Sequence, residues 1–130
     1  MEPGNAKPVV RMKTRAEFLA ARRGRRLNGP FFFVEALDRK DDAGPRLGLT
    51  VTRKVGNAVE RNRIRRRLRE AVRTRCGADM APGFDYVVVA RRELLSVPFA
   101  ELKDELSRRF ARTKAERPKP SRETQAPTGD

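Results

Sequence analysis

Arg46-Leu47-Gly48-Leu49-Thr50-Val51-Thr52-Arg53-Lys54-Val55-Gly56-Asn57-Ala58-Val59-Glu60-Arg61-Asn62-Arg63-Ile64-Arg65-Arg66-Arg67-Leu68-Arg69-Glu70-Ala71 changes its periodicity once, and that change decides the fold. Over Leu47 to Thr52, apolar residues alternate with small or polar ones, the period of two of a half-buried strand. Beyond Asn57 the period is helical. Asn57 suits an N-cap and Glu60 follows three residues later, so a capping box is expected, with Gly77 as the stop. At roughly 100° per residue, Ile64, Leu68, Ala71 and Val72 share one face. Arg65, Arg66, Arg69 and Arg73 share the adjacent face, with Asn62 at its leading edge. Arg63 and Arg67 are expected to point further from the core. Arg61 falls at the border of the apolar face, where its stem can be partly buried, and Val59 falls outside that face.

Charge makes this unit unusual. Residues 46–75 hold 11 Lys and Arg against only Glu60 and Glu70, a net +9 out of the chain's +14. Like charges three and four residues apart on a helix repel, and here too few acids alternate with them to cancel the repulsion. A mixed-sign run is ordinarily a solvated surface; this one asks for a polyanion, and nucleic acid fits best. Arginine supports phosphate recognition through a planar, permanently charged fork. Six to ten such contacts would cost roughly three to five decades of affinity between low and moderate salt. Asn62 adds a donor and acceptor suited to a ribose hydroxyl or base edge. The helix N-terminus offers a further phosphate site beside Arg53 and Lys54, for which Glu60 competes.

Outward from this unit, Thr14-Arg15-Ala16-Glu17 reads as a second capping box, opening a short helix that stops at Gly24. Phe31 to Leu37 reads as a strand. Phe32, Val34 and Ala36 suit its core face; Phe31, Phe33, Glu35 and Leu37 take the other, a platform on which single-stranded bases could stack. Phe18 suits core or binding surface equally. A poorer strand is expected over Arg25 to Asn28. The short link from Asp38 to Pro45 implies an antiparallel hairpin between the flanking strands. Phe84 to Ala90 is nearly continuous apolar sequence, as in a central strand covered on both faces. Pro98 then opens a helix with Phe99, Leu102, Leu106 and Phe110 as its buried stripe. The order predicts an α+β fold, a single-domain α/β sandwich around one central sheet. Residues 1–10 read as a disordered arm, 11–112 as one RNA-binding domain and 113–130 as a disordered tail.

Several functions are excluded. The 130 residues contain no histidine, which removes His-based acid–base chemistry and His metal sites. The single Cys76 can form neither an internal disulfide nor a metal cluster, and reads as a small buried residue. No run approaches the ~20 apolar residues of a membrane span, and no apolar signal core opens the chain; a cytoplasmic protein is expected. No carboxylate pair stands out as catalytic.

The Arg46–Ala71 stretch closely resembles the signature of the bacterial ribonuclease P protein subunit family, whose hallmark Arg-Asn-Arg motif is Arg61-Asn62-Arg63 here. The flanks agree: a basic first helix with Phe18, an aromatic strand, Asp85-Tyr86-Val87-Val88-Val89-Ala90-Arg91 and a final helix. The resemblance implies a left-handed βαβ crossover, as in the second domain of a small-subunit ribosomal protein, against the usual rule of hand. It implies as partners the family's catalytic RNA, which cleaves the 5′ leader from precursor tRNA with Mg²⁺, and precursor tRNA itself. No cofactor is bound by the protein alone, no protein partner is required and no side chain is catalytic. By position, Arg53, Lys54, Asn57, Arg61, Asn62, Arg63, Arg65, Arg66, Arg69 and Arg73 face RNA. The leader cleft maps to Phe18, Arg22, Phe33 and Glu35, where Arg22 and Glu35 replace residues that are often aromatic. A ribosomal protein or RNA chaperone would share the basic composition; a metal-dependent nuclease would need the metal ligands this chain lacks.

Overall fold

In the computed structural model, which describes residues 8–116, a five-stranded sheet runs in the order β1-β4-β5-β3-β2. The elements are β1 (Val10–Arg11), α1 (Arg15–Ala21), β2 (Arg25–Asn28), β3 (Phe32–Asp38), β4 (Arg46–Thr50), α2 (Ala58–Thr74), β5 (Phe84–Ala90) and α3 (Phe99–Glu116). β5 is central, parallel to β4 and antiparallel to β3. Its alternate residues serve two cores, as strand geometry requires. Tyr86, Val88 and Ala90 join Phe32, Val34, Ile64, Leu68, Leu102, Leu106 and Phe110 under α2 and α3. Val87 joins Met12 and Ala21 on the opposite face, with Phe18 and Val89 packed against them. This is the expected α/β sandwich, with α2 crossing over between parallel neighbours β4 and β5.

The expected hairpin is not formed: β5 lies between β3 and β4. A long-range ionic clamp spans the three strands. Asp85, 1% exposed, is the second residue of β5 and accepts from Arg39 Nη1 at 2.5 Å and from Arg46 Nε and Nη2 at 2.7 and 2.8 Å. Arg39 leaves β3 and Arg46 begins β4, so one carboxylate ties both flanking strands to β5. Burial alone would lower the Arg39 pKa, but Asp41 and Asp85 hold it above its usual value, and Asp85 likewise raises Arg46. The link between β3 and β4 also grips the turn before β5. Gly83, at φ 79°, donates its amide to Ala43 O (2.7 Å) and accepts from Arg39 N (2.8 Å). A side chain there would be strained.

Both capping boxes form. α1 ends at Ala21, before Gly24, and Gly24 is needed for room, because a Cβ there would collide with the Ala36 backbone on β3. α2 ends at Thr74, with Arg75 as its cap, ahead of Gly77. Residues 113–116, expected to open a disordered tail, are helical. α3 continues to Glu116, and Thr113 is buried, its hydroxyl donating to Phe110 O at 2.7 Å and lying 2.5 Å from Tyr86 Oη. Thr113 extends the Phe99, Leu102, Leu106, Phe110 stripe by one further turn. At the other end, Val9 packs on the main core and Val10 opens β1 inside the expected arm. The rest of both expected disordered segments, 1–7 and 117–130, lies outside the described residues.

Candidate nucleic-acid interface

β4 passes through a short 3-10 turn, Arg53–Val55, into α2. Val55 is buried and anchors this turn, leaving Arg53 and Lys54 exposed. Asn57 caps the helix: its Oδ1 accepts from Glu60 N, and its amide donates to Glu60 Oε1, both at 2.9 Å. Arg92 also grips Glu60, at 3.0 and 3.2 Å, and donates to Val55 O at 2.7 Å. Arg92 and the Asn57 amide hold the Glu60 carboxyl below its usual pKa. The end of the helix dipole therefore already has its anion, which weakens the case for a phosphate at that spot.

Ile64, Leu68, Ala71 and Val72 are buried as the periodicity requires. The arginines divide by direction. Arg61 is half-buried and its Nε donates to Gly56 O at 3.1 Å, so it braces the loop that enters α2. Arg67, expected to point away, instead flanks the core. Its Nη1 donates to Leu94 O at 2.7 Å and its Nη2 to Val97 O, and burial beside Arg63 lowers its pKa. It stands only 40° from Ala71 on a helical projection, one position being about 100°. Arg63 is exposed toward Glu60 and Arg67, well round the helix from Arg65 and Arg69. Arg61, Asn62 and Arg63 thus aim in three directions, as consecutive helical residues must.

Arg65, Arg66, Arg69 and Arg73 form the stripe foreseen, joined by Asn62, whose Oδ1 accepts from Arg65 Nη1 at 3.0 Å. Arg73 is paired with Glu70. Among the described residues no carboxylate pairs with Arg65, Arg66 or Arg69. Burial, Arg11 and Arg65 together push the Arg69 pKa down. Like charges brought this close and left unpaired favour an incoming anion.

On the α1 side, Phe18 lies across β4: a Cβ on Gly48 would stand 2.6 Å from its ring, so only glycine admits it. Arg22 follows one helical turn later and is exposed. Phe33 and Glu35 are half-buried on the same side of the sheet, opposite Val89 and Val87 of β5. Because β5 intervenes, Phe18 stands about two strand spacings, roughly 10 Å, from them. One face of Phe33 is already covered, with the Arg26 guanidinium 3.7 Å from the ring centre. The stacking surface on β3 is thus a guanidinium over an aromatic ring. Sequence reading assigned no role to Arg26 or Arg11. The pairing of Arg26 with Glu35 across β2 and β3 places the first, and a register of this kind is not visible in a single strand.

The ribonuclease P family model matches residues 7–114. A ribonuclease P protein component from Brucella suis is 46% identical over 129 residues, covering 93% of this chain and 92% of that protein. One from Bartonella quintana is 50% identical over 110 residues, covering 80% and 83%. Among solved structures, the RNase P protein of Thermotoga maritima matches with a TM-score of 0.68 at 33% identity, over 78% of this chain and 96% of that one. The Staphylococcus aureus protein matches at 0.65 and 27%, over 82% and 94%.

Proposed function

The chain belongs to the ribonuclease P protein family and is the protein subunit of that tRNA-processing endonuclease, and we propose that it binds the catalytic RNA through the arginine stripe of α2. The observation that carries this is the convergence of Arg65, Arg66 and Arg69 without a described carboxylate partner. Arg53, Lys54, Asn57, Asn62, Arg63 and Arg73 extend the contact around the start and outer side of the helix, while Arg61 shapes the loop. Neutralising RNA phosphates releases counterions and draws the RNA helices together. Phosphodiester hydrolysis belongs to the RNA, with Mg²⁺ held there. Among the described residues no group of three or more acidic, Cys or His side chains could hold a metal ion, and no step is assigned to a protein-bound metal. No helix in the described residues is long and apolar enough to cross a membrane, and the work proposed is cytoplasmic.

The same proposal gives precursor tRNA a place. Its single-stranded 5′ leader runs over the open sheet face between Phe18 and Arg22 on α1 and Phe33 and Glu35 on β3, with Arg26 offering its plane to a base. Reconstitution tests the whole reading. Added to the catalytic RNA at low Mg²⁺, the protein should restore precursor cleavage; protein that leaves the RNA inactive there would overturn it. Phe18→Ala should weaken holoenzyme binding of leader-bearing precursor about tenfold, the loss of one stacked base, while mature tRNA binding holds. Equal losses for both ligands would remove the leader from this face.

A further inference from the structure

Glu60 stands at the head of the helix proposed above to bind RNA, where an acid repels the ligand. Residues 46–75 contain only one other acid, Glu70. The Glu60 carboxylate is held from outside α2, by Arg92, through two parallel bonds: Nη1 to Oε1 at 3.2 Å and Nη2 to Oε2 at 3.0 Å. Arg92 Nη1 also donates to Val55 O at 2.7 Å. One guanidinium thus joins the start of α2 to the last residue of the 3-10 turn Arg53–Val55. Gly56 leaves room for this bridge, since a Cβ there would stand 2.4 Å from Glu60 Oε1 and 2.9 Å from Arg92 Nη1.

The bridge has a rigid base. Arg92 opens a second 3-10 turn, Arg92–Leu95, soon after β5. Leu94 of that turn is fully buried, and its carbonyl accepts from Arg67 of α2 at 2.7 Å. Two arginines therefore clasp in opposite senses, Arg67 from α2 onto the second turn and Arg92 from the second turn onto the first. The Arg92 clasp contributes little to folding, because its side chain is 59% exposed and ion pairs this open are weak. Its effect is on geometry. The exposed Arg53 and Lys54 sit on a turn that has only Val55 in the core. Three donors of the Arg92 guanidinium are engaged and Glu60 matches its charge, so it is committed to the bridge and not to a phosphate. We infer that Arg92 is a positioning residue for RNA binding, acting through Glu60 and the Val55 carbonyl to hold Arg53 and Lys54 in the orientation that RNA meets. This rests on the RNA-binding role proposed above.

Charge alone and positioning predict opposite signs for Glu60→Gln. Glutamine serves in a capping box as glutamate does, so the change keeps the helix cap but removes a negative charge and half of the ion pair. If Glu60 acted only by its charge, the variant would bind the catalytic RNA more tightly. Positioning requires it to bind several-fold less tightly. Arg92→Ala should bind about tenfold less tightly, the equivalent of ordering roughly one backbone residue anew on binding. The two changes together should lose no more than Arg92→Ala alone. In Arg92→Ala the slope of log K against log salt should stay at wild type, and the melting temperature within a few degrees of it.

Tighter binding by Glu60→Gln, or wild-type affinity in Arg92→Ala, overturns the inference. So does a slope reduced by about one in Arg92→Ala, which would make Arg92 a phosphate ligand itself. Arg53→Ala with Lys54→Ala checks the role beneath it and should reduce both the affinity and, by about two, the slope. Wild-type binding there takes the turn out of the interface and overturns that part of the role together with the inference. Hydrogen exchange reads the positioning without RNA. The Val55 amide, bonded to Thr52 O at 3.0 Å, should exchange about tenfold faster in Arg92→Ala while the Ile64 amide within α2 keeps its protection. Unchanged protection of Val55 would show that the turn holds itself, and would also overturn the inference.

Discussion

Replacing Arg65 and Arg69 together by alanine should weaken binding of the catalytic RNA by at least a hundredfold and reduce the salt slope by about two. Each arginine that contacts a phosphate contributes about one to that slope, and a charge-assisted bond lost costs about 1.5–3 kcal/mol. The fold should not suffer. Arg65, Arg69 and Arg73 are four apart, and such like-charged pairs destabilise a helix by about 0.2–0.5 kcal/mol each; alanine is also the better helix former. The double variant should therefore melt no lower than wild type while binding RNA far worse. Arg67→Ala provides the contrast. It removes the bonds to Leu94 O and Val97 O, so its melting temperature should fall while the salt slope stays near wild type. Filter binding from low to moderate salt, beside thermal melts, separates the two. A double variant with unchanged slope would take the stripe out of the interface.

The contrast between Arg65 and Arg67 also marks what the sequence could reveal. Features encoded within a few residues were legible: both capping boxes, the α2 core stripe, the apolar run of β5, and even weak β2. Two local features were misread although helix geometry alone carries them: Arg67, expected to point away, stands about 40° from Ala71 and flanks the core, and Thr113, expected to open a tail, adds a turn to α3. What could not be read depends on partners distant in sequence. The short Asp38–Pro45 link looks like a hairpin until Asp85, some 40 residues on, is seen to hold Arg39 and Arg46 together. Gly24 looks like a helix stop until the Ala36 backbone arrives beside it. Among site residues, the α2 stripe was local and came out as read. Phe18, Phe33 and Glu35 were assigned to one face correctly, but their separation by β5 and the covering of Phe33 by Arg26 are properties of strand order.

That strand order gives the second large effect. Asp85→Ala should destabilise the protein by about 3–5 kcal/mol, because it removes the one buried carboxylate that two guanidiniums share at the edge of the core. Domains of this kind are stable by only about 5–15 kcal/mol, and each kcal/mol is worth about 4–8 °C in a domain near 100 residues, so the melting temperature should drop by more than 10 °C. The two arginines are not equivalent partners. Arg46 keeps Glu17 at 2.7 Å when Asp85 is gone, whereas Arg39 keeps only exposed Asp41 and backbone oxygens. The double change Asp85→Ala with Arg39→Ala should therefore recover part of the loss, since an absent pair costs less than half of one. A melt of Asp85→Ala within a few degrees of wild type would mean that the apolar faces of β5 alone hold it between β3 and β4. Function should follow stability and not charge. β4 carries the chain into the start of α2, so at temperatures where Asp85→Ala remains folded it should bind the catalytic RNA with the wild-type salt slope. RNA binding should then fail only as the sheet melts.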